Sequence, residues 1–221
     1  MNDLNQVFEW CKRYGISLNP KKSFFALDEG KPLGFIVSKN GIYIDPKRVD
    51  EIKWISFPHN KKTMQSFLGK INFVKWFVPD FSQIVLLLQN MIKKNSVFKW
   101  GHNEREAFEL IKQSIFNAPF LTTPNFLNPF TLYTFSSDTS YATILTQLND
   151  QQIEAPISFF SSNLQGAELN YTSAEKQAFF VFKAIKHFRP FLQKSHTKII
   201  VPFSAVRQIL MQNELGEKRA N

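Results

Sequence analysis

Two hydrophobic rhythms alternate along the chain, one of about 3.6 residues and one of two. Leu4, Val7, Phe8 and Cys11 follow the spacing i, i+3, i+4, i+7, which predicts an amphipathic helix closed by Tyr14-Gly15. The stretch Ser17 to Phe25 and the runs Leu33 to Ser38 and Ile42 to Ile44 predict short strands, with Lys39-Asn40-Gly41 as a hairpin turn. Asp45-Pro46 then supplies a cap followed by proline at the first helical position, and Val49, Ile52 and Ile55 form the apolar stripe of a short helix ending near Pro58. Asn60 caps a helix carrying Met64, Phe67, Leu68, Ile71, Val74 and Phe77 on one side, expected to run until Pro79. Another helix passes through Ile84, Leu87, Leu88, Met91 and Ile92.

The pattern then repeats on a larger scale. Asn103 as cap, Glu106 three residues on, and Ala107, Phe108, Ile111 and Ile115 predict a further helix that stops at Asn117-Ala118-Pro119. Phe130 to Phe135, Ala142 to Leu148 and Ile157 to Ser161 read as a three-strand meander. A long helix from Thr172 to about Leu192 follows, then the β-branched run Thr197 to Val201, then a helix from Ala205 to Met211 capped by Ser204. The order of this second part is β-β-β-α-β-α.

Composition narrows the class. The chain has 221 residues, 43% hydrophobic and 20% charged, enough for a buried core and unlike a disordered segment. Phenylalanine is unusually frequent, with 24 residues. The single cysteine, Cys11, excludes an intrachain disulfide, and no Cys/His cluster has zinc spacing. There is no run of 18 apolar residues and no signal-like N-terminus, so an intracellular, soluble protein without a membrane partner is expected, cytoplasmic or nuclear. The net charge of +9 favours anionic partners such as nucleic acid. It is unevenly placed: residues 1–97 hold 15 Lys and Arg against 8 Asp and Glu, while residues 98–221 hold 12 against 10.

The β-β-β-α-β-α order is that of the ribonuclease H fold, and specific residues sharpen the likeness. Leu18-Asn19-Pro20-Lys21-Lys22, Leu33-Gly34-Phe35, Gly41-Ile42, Asp45-Pro46, Ser66-Phe67-Leu68-Gly69 and Phe77-Val78-Pro79-Asp80-Phe81 fall in order. Phe98-Lys99-Trp100, Ala107-Phe108, Ala118-Pro119, Gln147, Pro156-Ile157-Ser158 and Asn170-Tyr171 continue the series. Together they resemble the C-terminal half of the reverse transcriptase of Gypsy-type (Metaviridae) LTR retrotransposons, and Thr134-Phe135-Ser136-Ser137-Asp138 looks most like plant elements. The resemblance implies an α+β or α/β chain with a small palm-end sheet and a helical thumb, followed by an RNase H-like mixed sheet with flanking helices. It also implies three parts: residues 1–45 from the end of the palm, 46–97 from the thumb, and 98–221 an RNase H-like domain truncated near Glu217 to Asn221.

Polymerases of this family hold two metal ions on carboxylates that include an adjacent Asp pair, because the attacking and leaving oxygens both need charge neutralisation. No Asp-Asp occurs here. RNase H chemistry needs an Asp on the first strand, a Glu on the long helix and an Asp at the fourth strand's end. By resemblance those positions are Phe135, Glu175 and Phe203, and a benzyl group binds no metal. Glu175 has a second reading, since Thr172-Ser173-Ala174-Glu175 is a capping box. Asp138 reads as a turn residue or as a displaced ligand. No metal cofactor is therefore expected, Mg²⁺ entering only under the alternative of a residual RNase H using Glu175 and Asp138. Further alternatives are an interaction module retained by a host and a relic without function.

By resemblance, the thumb helix that packs against template and primer carries Gln65, Ser66, Gly69, Lys70, Asn72 and Phe73. Lys61, Lys62, Lys70, Lys75, Lys93 and Lys94 read either as a solvated surface or as a phosphate-contacting face. Gly69 inside a helix costs about 1 kcal/mol relative to Ala, which asks for a close neighbour, either another helix or a sugar–phosphate backbone. The expected partners are an RNA–DNA hybrid or another nucleic-acid duplex and the remainder of the polyprotein.

Overall fold

The structure, a computed structural model, describes residues 2–25, 27–201 and 206. Helix α1 (Asn2–Arg13) ends as the spacing predicts: Gly15 is left-handed (φ +65°) and the Ile16 N–H donates to the Cys11 carbonyl at 2.8 Å. The strand expected from Ser17 is absent, replaced by a 3-10 turn at Pro20–Lys22. The reason is local. Asn19 Oδ1 accepts the Lys21 N–H at 3.0 Å, and Pro20 brings a fixed φ and no donor, so a side-chain cap replaces a sheet ladder.

Strands β1 (Glu29–Gly30), β2 (Phe35–Ser38) and β3 (Gly41–Ile44) form an antiparallel sheet. Lys39 and Asn40 are its two-residue hairpin loop, and Ser38 pairs with Gly41. A fourth strand, β4 (Leu121–Thr122), arrives from far along the sequence and pairs with β3. Gly41 makes that possible: at φ +148° a Cβ there would lie 2.1 Å from the Leu121 carbonyl oxygen.

Four helices pack beside this sheet: α2 (Pro46–Lys53), α3 (Lys61–Asn72), α4 (Phe81–Met91) and α5 (His102–Phe116). The helix expected to reach Pro79 stops at Asn72, and Lys75–Phe77 tighten into a 3-10 turn. A three-residue period keeps Ile71, Val74 and Phe77 on one side, all buried in the same core. The cap of α5 is Gly101 rather than Asn103. Its N–H donates to Glu104 Oε2 at 3.0 Å, because Glu104, not Glu106, sits three residues into the turn. Phe108 anchors this core between Phe67 and Phe57, with ring centroids 4.7 and 4.8 Å away.

The second sheet has the order β7-β6-β5-β8, formed by β5 (Phe130–Ser136), β6 (Ser140–Leu148), β7 (Glu154–Asn163) and β8 (Thr197–Ile200). Only β5 and β8 run parallel, joined through α6 (Ser173–Leu192), as a β-β-β-α-β order requires. The meander strands are longer than their apolar runs, because polar ends such as Ser161 to Asn163 still pair with β6. Phe130, Leu132, Leu145 and Ile157 meet Ala184 and Phe188 of α6 in a second core. On the other side α4 meets β7: the Ser82 N–H donates to Ser161 Oγ at 2.9 Å, and Ser82 Oγ donates to the Ser161 carbonyl at 2.8 Å. The expected helix after Ser204 lies outside the described residues apart from Val206, which is helical and buried.

Candidate functional site

Helix α3 begins on a reciprocal cap in which the Thr63 N–H donates to Asn60 Oδ1 (2.9 Å) and the Asn60 N–H to Thr63 Oγ1 (3.2 Å). Burying Met64, Phe67 and Ile71 fixes the helix's rotation. Lys62, Gln65, Ser66, Gly69, Lys70 and Asn72 are all left facing solvent. Among the described residues, a Cβ built on Gly69 meets no atom within 4 Å.

Lys61 and Lys75 lie elsewhere. Lys61 Nζ donates to the Lys93 carbonyl at 2.6 Å, tying α3 to the loop after α4. Lys75 stands on the 3-10 turn and lines a different cavity, next to β7 and α6. Phe73 is half-buried, its ring 5.4 Å from Phe35 and overlain by the Arg48 guanidinium at 5.4 Å.

The exposed face of α3 borders a groove of about 520 Å³ shared with the small sheet, lined by Ser66, Gly69, Lys70 and Phe73 on one side. Leu33, Phe35, Arg48 and Trp76 line the other, and sequence reasoning did not single them out for a site. Leu33 is left-handed (φ 54°) and 87% exposed, an apolar side chain at the tip of a turn that the Phe35 N–H closes on the Pro32 carbonyl at 3.0 Å. Arg48 comes into the groove because it packs over Gly34, where a Cβ would sit 3.1 Å from its Nε, and because Glu51 holds its Nη1 at 3.1 Å.

At the end of β5 the arrangement differs. Period two sends Leu132 and Thr134 toward the core under α6, while Phe135 falls on the opposite face and is 51% exposed. The α6 side chain that reaches the strand is Gln177, fully buried. Its Nε2 donates to Thr134 Oγ1 at 2.7 Å, and its Oε1 accepts from Ser136 Oγ at 2.7 Å. Thr134 Oγ1 in turn donates to the Ile200 carbonyl at 3.2 Å, so one amide binds helix, first strand and fourth strand together. Gln177 went unremarked in the sequence, although a polar residue in register with Phe180, Val181, Ala184 and Phe188 was there to be noticed. Glu175 is the third residue of α6, and its Oε2 accepts from the Thr172 N–H (3.1 Å) and Oγ1 (3.0 Å). Asp138 lies in the β5–β6 turn, where its carbonyl accepts from Lys176 Nζ at 3.1 Å. Phe203 lies outside the described residues.

Among the described residues, the positions that the resemblance assigns to two divalent ions offer an incomplete set of ligands. Phe135 has no donor atom, the Gln177 amide is spent on two hydroxyls, and a lysine ammonium leans over the turn that holds Asp138. Among the described residues no three His, Cys, Asp or Glu side chains converge. Nor, among them, is any helix long and apolar enough to cross a membrane.

Residues 100–199 match the family described as an RNase H-like domain found in reverse transcriptase. The transposon Tf2-3 and Tf2-4 polyproteins of Schizosaccharomyces pombe are each 28% identical over 192 residues, 87% of this chain. The chain spans only 14% of the length of these curated relatives. Among solved structures, the foamy viral protease-reverse transcriptase in complex with RNA/DNA hybrid superposes with a TM-score of 0.70 at 25% identity, covering 100% of this chain and 30% of that one. The same protein in complex with dsDNA gives 0.71 at 24%, covering 94% of this chain and 43% of that one. Fold, family match and relatives point the same way: this chain is similar to the reverse transcriptase and RNase H-like region of retroelement and retroviral polyproteins.

Proposed function

We propose that the chain grips an RNA–DNA hybrid or a DNA duplex through the exposed face of α3 and its groove, and that it neither polymerises nor cleaves. In this reading residues 1–45 end a palm, 46–97 form a thumb and 98–221 an RNase H-like domain that serves as a connector to the rest of a Gypsy-type polyprotein. The motifs that look most like plant elements support a plant source, and in this reading the chain works in the cytoplasm, within a virus-like particle, or in the nucleus. The observation that carries the proposal is Gly69. A glycine in mid-helix costs about 1 kcal/mol relative to Ala. No described residue crowds the place of its missing side chain, and it lies on a face with Lys62, Ser66 and Lys70. A backbone open at that point lets a sugar–phosphate chain come close, with the lysines supplying sequence-independent attraction.

The test sets two effects of opposite sign against each other. Gly69→Ala raises the unfolding midpoint, because the new methyl has room and alanine is the better helix former, and it lowers affinity for a labelled RNA–DNA hybrid read by fluorescence anisotropy. Unchanged hybrid affinity in the stabilised variant removes the basis of the proposal. The same hybrid incubated with Mg²⁺ stays intact. Cleavage that disappears on Glu175→Gln would overturn the non-cleaving half.

A further inference from the structure

A second cavity, of about 430 Å³, lies between the 3-10 turn Lys75–Phe77, strand β7 and helix α6. Its floor is buried and aromatic: Phe81, Phe159 and Phe188. Its rim is Trp76, His187 and Lys75, all exposed. The His187 ring lies flat on Phe160, with centroids 3.8 Å apart and planes within 6°. One wall is thus already a stacked pair of rings, and Trp76 adds an indole to the lining.

The polar groups at the rim give the cavity a sign. Ser161 is committed to Ser82 through both its hydroxyl and its carbonyl. Lys75 has no carboxylate within ion-pair distance among the described residues, and no other lining residue bears a fixed charge. The volume falls in the usual range for small-ligand sites, which are mostly apolar with a few placed polar groups.

We infer that this cavity is a binding site for a flat aromatic anion of one or two rings, its rings held between Trp76 and the phenylalanine floor and its anionic group on the Lys75 ammonium. The fit is one of size, wall chemistry and charge. A ring of this size stacks where Phe160 and His187 already show that flat packing is favoured, and it buries apolar surface that now faces solvent. A carboxylate or sulfonate then meets an ammonium that has no carboxylate partner among the described residues. An uncharged ligand gains only the first of these contributions. Nucleotides fit less well, because no Asn or Gln is among the residues that line the cavity to read a base edge. The site is separate from the α3 groove, although Trp76 walls both cavities.

The probe is 2-naphthalenesulfonate, titrated calorimetrically into the full chain, with the neutral isostere naphthalene-2-sulfonamide as control. One equivalent of sulfonate binds, and Lys75→Gln weakens it by about three- to five-fold, the worth of one exposed ion pair. The same variant leaves the sulfonamide unchanged. Ser158→Trp, which fills the floor, abolishes binding of both; should that variant fail to fold, the Lys75→Gln pair of titrations decides alone. Several equivalents of weak binding, equal effects of Lys75→Gln on charged and neutral probes, or no heat from either probe would each overturn the inference.

Discussion

Two ends of the molecule, each polar and each near a position singled out by motif, differ in where their polar groups are spent. On α3 the outward groups have few partners within the protein, and the one glycine among them has empty space where a side chain would be. At the end of β5 the polar groups turn inward: Gln177 bridges Thr134 and Ser136, Thr134 reaches Ile200, and Lys176 covers the turn at Asp138. An unspent face is available to a partner. A satisfied cluster holds the fold together, and it resists becoming a site because any ligand must first break bonds the protein already has.

The sharpest way to break that contrast is to remove the amide. Gln177→Ala leaves a cavity and removes the amide donor to the buried Thr134 hydroxyl, while the exposed Ser136 hydroxyl turns to solvent, so unfolding free energy should fall by about 2–4 kcal/mol in denaturant titrations. Duplex affinity, measured where the variant is still folded, should not follow. A loss under about 1 kcal/mol would mean that water or rearrangement satisfies Thr134 and Ser136 equally well.

Much of this was legible beforehand, and the misses have a common cause. The caps at Asp45, Asn60 and Thr172, the apolar stripes and the β-β-β-α-β order are encoded within a few residues of one another, and each appears in the fold. The exposed face of α3 was legible for the same reason, since burying Met64, Phe67 and Ile71 leaves one choice for the rest. What escaped depends on distant pairing. Leu121–Thr122 is too short to signal a strand and exists because Gly41 admits it, and Arg48 and Trp76 enter the α3 groove only through the tertiary fold. Gln177 is the instructive case. Its position on the apolar stripe was visible, but the neighbouring capping-box glutamate matched a motif and drew the attention.

Charge reversal tests the other half of the contrast with a somewhat smaller effect. Lys62→Glu combined with Lys70→Glu should weaken hybrid binding about ten-fold at moderate salt and flatten the dependence of log affinity on log salt by about two. Both side chains are exposed, so the unfolding midpoint should barely move. Lys176→Glu is the matched control from the β5 end, and there the hybrid affinity should stay within about two-fold. A salt slope that is unchanged by the α3 pair, or one that falls equally with Lys176→Glu, would erase the distinction between the two ends.

The smallest effect concerns the joint between the two regions, where His187 of α6 faces Lys75 of the 3-10 turn. Partial burial against Phe160 lowers the His187 pKa below its usual 6.5, and the Lys75 charge lowers it further. In the unfolded chain the imidazole takes up a proton near 6.5, whereas in the folded protein it does so only at lower pH. As pH falls through this window the unfolded state therefore binds more protons, and stability that is present above 6.5 is lost. Carboxylates contribute their own pH dependence, including Asp80, whose pKa burial raises and whose contribution runs the opposite way. A difference measurement removes them. His187→Phe keeps a flat ring on Phe160 and cannot titrate, so the gap between its unfolding midpoint and that of the unaltered chain should widen in the variant's favour from pH 7.5 to 5.5. Lys75→Gln should reduce that widening without abolishing it, because burial is the larger cause and the charge the smaller. If Lys75→Gln abolishes it entirely, the ring is wetter than its stacking on Phe160 implies.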